Sequence, residues 1–184
     1  REQLNIVNDS AESLAILVND ILDYSVLEKE HSQLETIPFN PFNLVNSVVN
    51  LLEKQVKEKG LELIVSNRTD PTTLLISAPN RIRQVLVNLL GNAIKFTEEG
   101  HIDVRASMQP IDKPNWVVLR IEVEDTGIGV DKKYAMVIFN MFQQIDNSSE
   151  RNYEGLGMGL AISKKIVDLL DGTITLSNQQ TQGS

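Results

Sequence analysis

The chain has 184 residues, 41% of them hydrophobic, enough to bury a globular core. Its 17 Lys and Arg stand against 25 Asp and Glu, a net charge of −8, and no basic run is interleaved with aromatics, which argues against nucleic acid or an anionic membrane surface as a partner. With no cysteine there are no disulfides, thiolate metal sites or thiol nucleophiles, and neither a signal peptide nor an apolar run of the roughly 20 residues that span a bilayer is present.

The chain opens at Arg1 already in helical periodicity, which predicts a piece of a longer protein. Leu4, Val7, Ala11, Leu14, Val18 and Ile21 alternate in steps of three and four, a coiled-coil seam that Leu17 and Leu22 widen toward a bundle stripe. No second helix carries a matching seam, so the partner helix is expected from a missing segment, from another subunit, or from both. The run Glu28 to His31 marks the solvated exit of this helix, and His31 reads as a surface histidine. The prolines of IPFNP, residues 37–41, end the helix and make a short linker.

A second helix is predicted from Phe42 to Lys59, with Leu44, Val48, Leu51, Leu52 and Val56 inward and Gly60 closing it. Leu61 to Ser66 and Thr73 to Ser77 read as strands around the polar turn at 67–71. The next helix, Arg81 to Thr97 with Pro79 in its first turn, organises the chain. At about 100° per residue, Ile82, Val85, Leu86, Leu89, Leu90, Ala93 and Ile94 form one apolar arc. Arg81, Asn88, Asn92 and Lys95 fall within roughly 60° of one another on the remaining side. Asparagine is a poor helix former, so two of them four residues apart need a reason. Amide oxygens are hard, neutral ligands that Mg²⁺ accepts, and a lysine one turn on can meet phosphates that share the ion. The helix alone leaves a pair of solvated asparagines open as well.

Gly100 turns the chain into two strands, Ile102 to Met108 and Trp116 to Glu124, joined by a loop with Pro110 and Pro114; His101 reads as a strand-end residue. After Gly129 a short amphipathic helix reaches about Phe142. Gln143 to Gly157 is polar, glycine-bearing and aperiodic. A last helix, Met158 to Leu170, leads into a strand at Thr173 to Ser177. The order predicts an α+β fold: a two-layer sandwich of a mixed sheet with helices on one face, preceded by a long bundle helix.

Two further motifs carry chemistry. Asp125-Thr126-Gly127-Ile128-Gly129 ends a strand; the glycines let a flat ligand approach the backbone while Asp125 accepts a hydrogen bond, for example from an exocyclic amine. A simple Asp-Gly turn remains open for these residues alone. An aspartic-protease reading of Asp-Thr-Gly has no second copy to support it. Gly155-Leu156-Gly157-Met158-Gly159-Leu160 opens the last helix and brings N–H groups toward an anion such as a triphosphate. No strand immediately precedes it, unlike the dinucleotide fingerprint. Phe139 and Phe142 could anchor one end of a mobile lid formed by Gln143 to Gly157, as well as packing in the core.

Taken in order, NLLGNAIKFT, DTGIGV, FNMF and GLGMGL resemble the N box, first glycine box, F box and second glycine box of sensor histidine kinases, particularly hybrid kinases. The resemblance covers nearly the whole chain. Residues 1–36, with ILDYSVLEKEHSQLE at 21–35, look like the second helix of the dimerisation and phosphotransfer domain, its first helix absent. IPFNPFNLV looks like the junction into an ATP-binding catalytic domain at 37–184, of the Bergerat type shared with gyrase B, mismatch-repair ATPases and an ATP-driven chaperone.

The resemblance implies ATP and Mg²⁺ as cofactors, with Asn92 as the metal ligand, Asn88 helping and Lys95 on phosphate. Phe96 is implied beside the base, Asp125 on the adenine amino group, and Gly127 and Gly129 as shaping the pocket. Phe142, Gly155, Leu156, Gly157, Met158, Gly159 and Leu160 are implied at the lid and the phosphates. A homodimer through the N-terminal helix and a receiver domain of a response regulator are the implied partners, in the cytoplasm, with any membrane anchor upstream.

ATP-hydrolysing relatives carry a glutamate base one turn before the metal asparagine. Asn88 stands there and cannot take a proton, so hydrolysis is expected to be slow. The departures are the absent phosphoacceptor histidine, Ala78 in place of a capping aspartate, and Glu154 and Leu156 in the lid. The alternatives are a degenerate nucleotide-binding or docking module without transfer activity, and an ATPase of the same superfamily.

Overall fold

The computed structural model describes residues 15, 18, 19, 21, 22, 24–27, 34–131, 134, 137–140 and 158–177. The chain divides into two compact units, residues 1–34 with 133–174 and residues 35–132 with 175–184.

In the first unit, the described residues between Ala15 and Leu27 are helical. Leu27 is buried, whereas Val18, Ile21, Leu22 and Val26 lie exposed as an apolar stripe. Leu4, Val7, Ala11, Leu14, Leu17 and His31 fall outside the described residues. The short helix expected after Gly129 is corrected in part: Tyr134 and 137–140 form turns, one closed by Ile138 N–H on the Tyr134 carbonyl (2.9 Å). The last helix, α3, runs Gly159–Leu169 and buries Ala161, Ile162, Ser163 and Ile166. It ends where Gly172 N–H returns to the Val167 carbonyl (2.9 Å), with Asp171 at φ +54°.

The second unit opens with a correction. Residues Ile37–Phe39, expected as linker, form strand β1, followed by helix α1 (Pro41–Glu58), strands β2 (Glu62–Asn67) and β3 (Leu75–Ser77), helix α2 (Pro79–Phe96) and strands β4 (His101–Pro110) and β5 (Val117–Asp125). β3 does not pair with β2, its neighbour in sequence. It pairs antiparallel with β1, so that Pro38 faces Ile76 and Phe39 faces Leu75. β2 lies parallel to β4, and β4 antiparallel to β5, giving a mixed three-stranded sheet in the order β2-β4-β5.

Helix α1 starts at Asn40, whose side-chain oxygen accepts from Asn43 N–H (2.9 Å) while its amide donates to the Pro71 and Thr73 carbonyls. Its buried arc is Leu44, Val45, Val48, Val49, Leu52 and Val56. Leu51, expected inward, is 63% exposed, because the arc is rotated toward Val45 and Val49 and leaves position 51 off its edge. α1 packs on α2 and β2, and α2 on β5. Ile102, Val104 and Ala106, alternating along β4, face the core with Leu86 and Leu90 of α2. Helices therefore cover one sheet face. The other carries a charged ladder in which Arg105 meets Asp103 (2.7 Å), Glu122 (4.0 Å) and Glu124.

Thr173 to Ser177 forms no strand, a further correction: a strand exists by pairing, and none of the described strands pairs with it. No helix among the described residues is long and apolar enough to cross a membrane.

Candidate functional site

Helix α2 supplies the first half of the site. Pro79 occupies its first turn, where the missing N–H costs nothing, and Ala78 sits at the N-cap without a side-chain cap. Leu86 and Leu90 are each 1% exposed. On the opposite side of the helix Asn88, Asn92 and Lys95 are half-buried, as the spacing requires, and Phe96 follows at the last position. The Lys95 ammonium sits 5.1 Å from the centroid of the Phe96 ring, a cation–π contact.

Among the described residues no three His, Asp or Glu gather into a cation site. The helix itself offers a divalent ion the amide oxygens of Asn88 and Asn92, hard neutral donors of the kind that Mg²⁺ accepts. Thr97, the next residue, is fully buried, and its hydroxyl finds no partner among the described residues. A hydroxyl left so costs about 1–3 kcal/mol.

The second half is the loop leaving β5. Asp125 pairs in register with Ile102, which puts it on the core face, and it is only 8% exposed. A carboxylate there needs hydrogen bonds, and one comes from Gly127 N–H (2.8 Å). The loop is fastened at two points. Thr126 exchanges hydrogen bonds with His101, N–H to carbonyl at 3.2 Å and His101 N–H to the Thr126 hydroxyl at 3.0 Å. Gly127 presses on the Phe96 carbonyl so closely that a Cβ would overlap it, and Ile128 N–H reaches the same oxygen at 3.4 Å. Gly129 then takes φ +66°, a conformation that favours glycine.

The fold thus brings Phe96, Asp125, Gly127 and Ile128 together, with Asn88, Asn92 and Lys95 on the helix that leads there. Of the second glycine motif, Met158 is buried at the N-cap of α3, and Gly159 and Leu160 form its half-buried first turn. That turn has neither a side-chain cap nor an acidic residue, leaving its N–H groups suited to an anion. Phe142, Gly155, Leu156 and Gly157 lie outside the described residues.

Sequence reasoning missed two contributors. One is the Thr126 hydroxyl; the other is Lys59, whose ammonium donates to the Ile94 (2.5 Å) and Lys95 (2.9 Å) carbonyls.

Residues 77–184 match the family model described as histidine kinase-, DNA gyrase B-, and HSP90-like ATPase. The chain belongs to this family. Within it, the chain is a catalytic ATP-binding domain of the sensor-histidine-kinase kind. It is 38% identical over 184 residues to the signal transduction histidine-protein kinase BarA of Escherichia coli K12, and 37% identical over 183 residues to the sensor histidine kinase GacS of Pseudomonas protegens. Each alignment takes in 100% of this chain and 20% of the relative, so the chain spans about a fifth of these proteins. The fold matches full-length ShkA, solved in complex with AMPPNP, with a TM-score of 0.81 at 31% identity, over 100% of this chain and 36% of that one. The mixed sheet with helices on one face is the ATP-binding sandwich expected of the family.

Proposed function

We propose that this chain binds Mg-ATP and directs its γ-phosphoryl group to a histidine on a dimerisation helix outside the 184 residues, for relay to an aspartate of a receiver domain. In this reading residues 1–36 form the second helix of the dimerisation and phosphotransfer domain, and 37–184 the catalytic domain. The protein would be a cytoplasmic homodimer assembled through the exposed stripe Val18, Ile21, Leu22 and Val26. The observation that carries the reading is the buried Asp125 at the end of β5, on a loop pressed against the last carbonyl of the asparagine-bearing helix.

Each residue has a task in that chemistry. The Asp125 carboxylate accepts from the adenine amino group, and Gly127 and Gly129 let the base lie against the backbone. The amide oxygens of Asn92 and Asn88 hold the metal, which supplies charge neutralisation at the phosphates when bound. Lys95 adds a positive charge on the same face. Asn88 cannot deprotonate water, whereas a neutral imidazole needs no base to be nucleophilic; positioning and charge stabilisation are then enough for transfer.

Two measurements test the proposal. The longer protein, incubated with ATP, is expected to carry acid-labile phosphate on a histidine; its absence would remove kinase activity. Phosphate release from ATP by the 184-residue chain is expected to stay slow, and rapid turnover would contradict the role given to Asn88.

A further inference from the structure

We propose that Lys59 is a positioning residue for the nucleotide site, acting through the C-terminal turn of α2. The inference rests on the reading of that turn as the edge of the ATP pocket. The last four carbonyls of an α-helix have no partner within the helix. In α2 three of them, on Ile94, Lys95 and Phe96, belong to the segment that presents the phosphate-facing lysine and the aromatic beside the base. The Lys59 ammonium takes the first two, and the Asp125 loop takes the third through Ile128 N–H. A cation from one element and a loop from another therefore grip three consecutive carbonyls, and a positive charge is the favoured sign at a helix C-terminus.

The root of the grip is rigid. Lys59 is the C-cap of α1, its own N–H bonded to the Gln55 carbonyl (3.1 Å). Gly60 at φ +74° then turns the chain, and Leu61 N–H returns to the carbonyl of the buried Val56 (3.1 Å). Lysines nearby are engaged elsewhere: Lys57 pairs with Glu53 and Lys54 with Glu58 along the exposed side of α1. Neither supplies what Lys59 supplies. Removing the ammonium takes one hydrogen bond from each of two carbonyls and frees the last turn of α2 to fray, which loosens Lys95 and Phe96 relative to Asp125.

The test compares the 184-residue chain with Lys59→Met, Lys59→Arg and Lys57→Met in two measurements. The first is calorimetric affinity for AMPPNP with Mg²⁺ at a temperature where every variant is folded by circular dichroism. Lys59→Met is expected to weaken binding about tenfold, Lys59→Arg to recover most of it, and Lys57→Met to leave it unchanged. The second is amide hydrogen exchange in the nucleotide-free chain, read at Thr97, whose N–H closes α2 on the Ala93 carbonyl (3.1 Å). Exchange there is expected to rise about tenfold in Lys59→Met, with the β4–β5 amides unchanged.

Unchanged affinity in folded Lys59→Met, equal weakening in Lys59→Arg, or unchanged Thr97 exchange would each overturn the proposal. Lys59→Gln stands in, read in the same way, if the methionine variant does not fold. Failure of the unaltered chain to bind AMPPNP would overturn the pocket assignment instead, and the exchange measurement would then decide the grip on its own.

Discussion

At the scale of single residues, the site depends on atoms that have no room to move. A methyl group at Gly127 would occupy the space of the Phe96 carbonyl. Gly127→Ala is expected to cost about 1–3 kcal/mol in urea unfolding and to lower AMPPNP affinity more than that loss alone, because the shifted loop carries Asp125. Asn40 works in three directions, capping α1 and tying down the Pro71 and Thr73 carbonyls. Asn40→Ala is expected to destabilise by about 2 kcal/mol or more, and a loss below 0.5 kcal/mol would show that the loop does not need this tether. Asp70 accepts from the Thr72 N–H and from the Thr72 and Thr73 hydroxyls, which holds its carboxyl below the ordinary value of 3.8. A depressed pKa gives stability that is complete above the ordinary value and lost as pH falls through the lower folded one. Asp70→Asn should therefore remove part of the acid sensitivity below about pH 4, seen as a flatter stability profile beside the unaltered chain. Asp125 was legible because a strand ran straight into two glycines one residue apart. Lys59 was not, since nothing in its local sequence says which helix end lies across from it.

At the scale of elements, local pattern and tertiary pairing separate cleanly. Helix α2 was readable because its apolar arc and polar line follow the 3.6-residue period, and the β4–β5 pair because alternating residues flank a short polar loop. Strand β1 was not. It is three residues long with a proline at its centre, and proline suits an edge position where no N–H is required. The parallel union of β2 with β4 skips β3, a choice that buries Ile102 in the core and packs the half-buried Leu63 and Val123 against it. Phe39 anchors β1 in that core at 9% exposure. Phe39→Ala is expected to cost about 3–5 kcal/mol, and a cost near zero would mean that β1 is dispensable to the fold. The outer ladder works differently: Arg105 is 42% exposed among three acids, its pKa raised first by the Glu124 hydrogen bond. Such a surface network contributes little to stability and less at high salt.

At the scale of the whole molecule, the order of the four boxes carried more information than any one of them. Asn-x₃-Asn, Asp-Thr-Gly and a glycine-rich helix start each admit an ordinary structural explanation; in sequence on one chain they specify a nucleotide-binding sandwich with the helices on one face. The stretch from Gln143 to Gly157, where the lid is expected, lies outside the described residues. The end of α2 and the loop after β5 are described throughout, and Asp125 between them is open to direct measurement. The decisive measurement is calorimetric titration of the 184-residue chain with AMPPNP and Mg²⁺, beside a folded Asp125→Asn variant. Saturable binding by the unaltered chain and its loss in the variant is the predicted result. Equal affinity in both, or no binding by the unaltered folded chain, would contradict the assignment of Asp125 to the base.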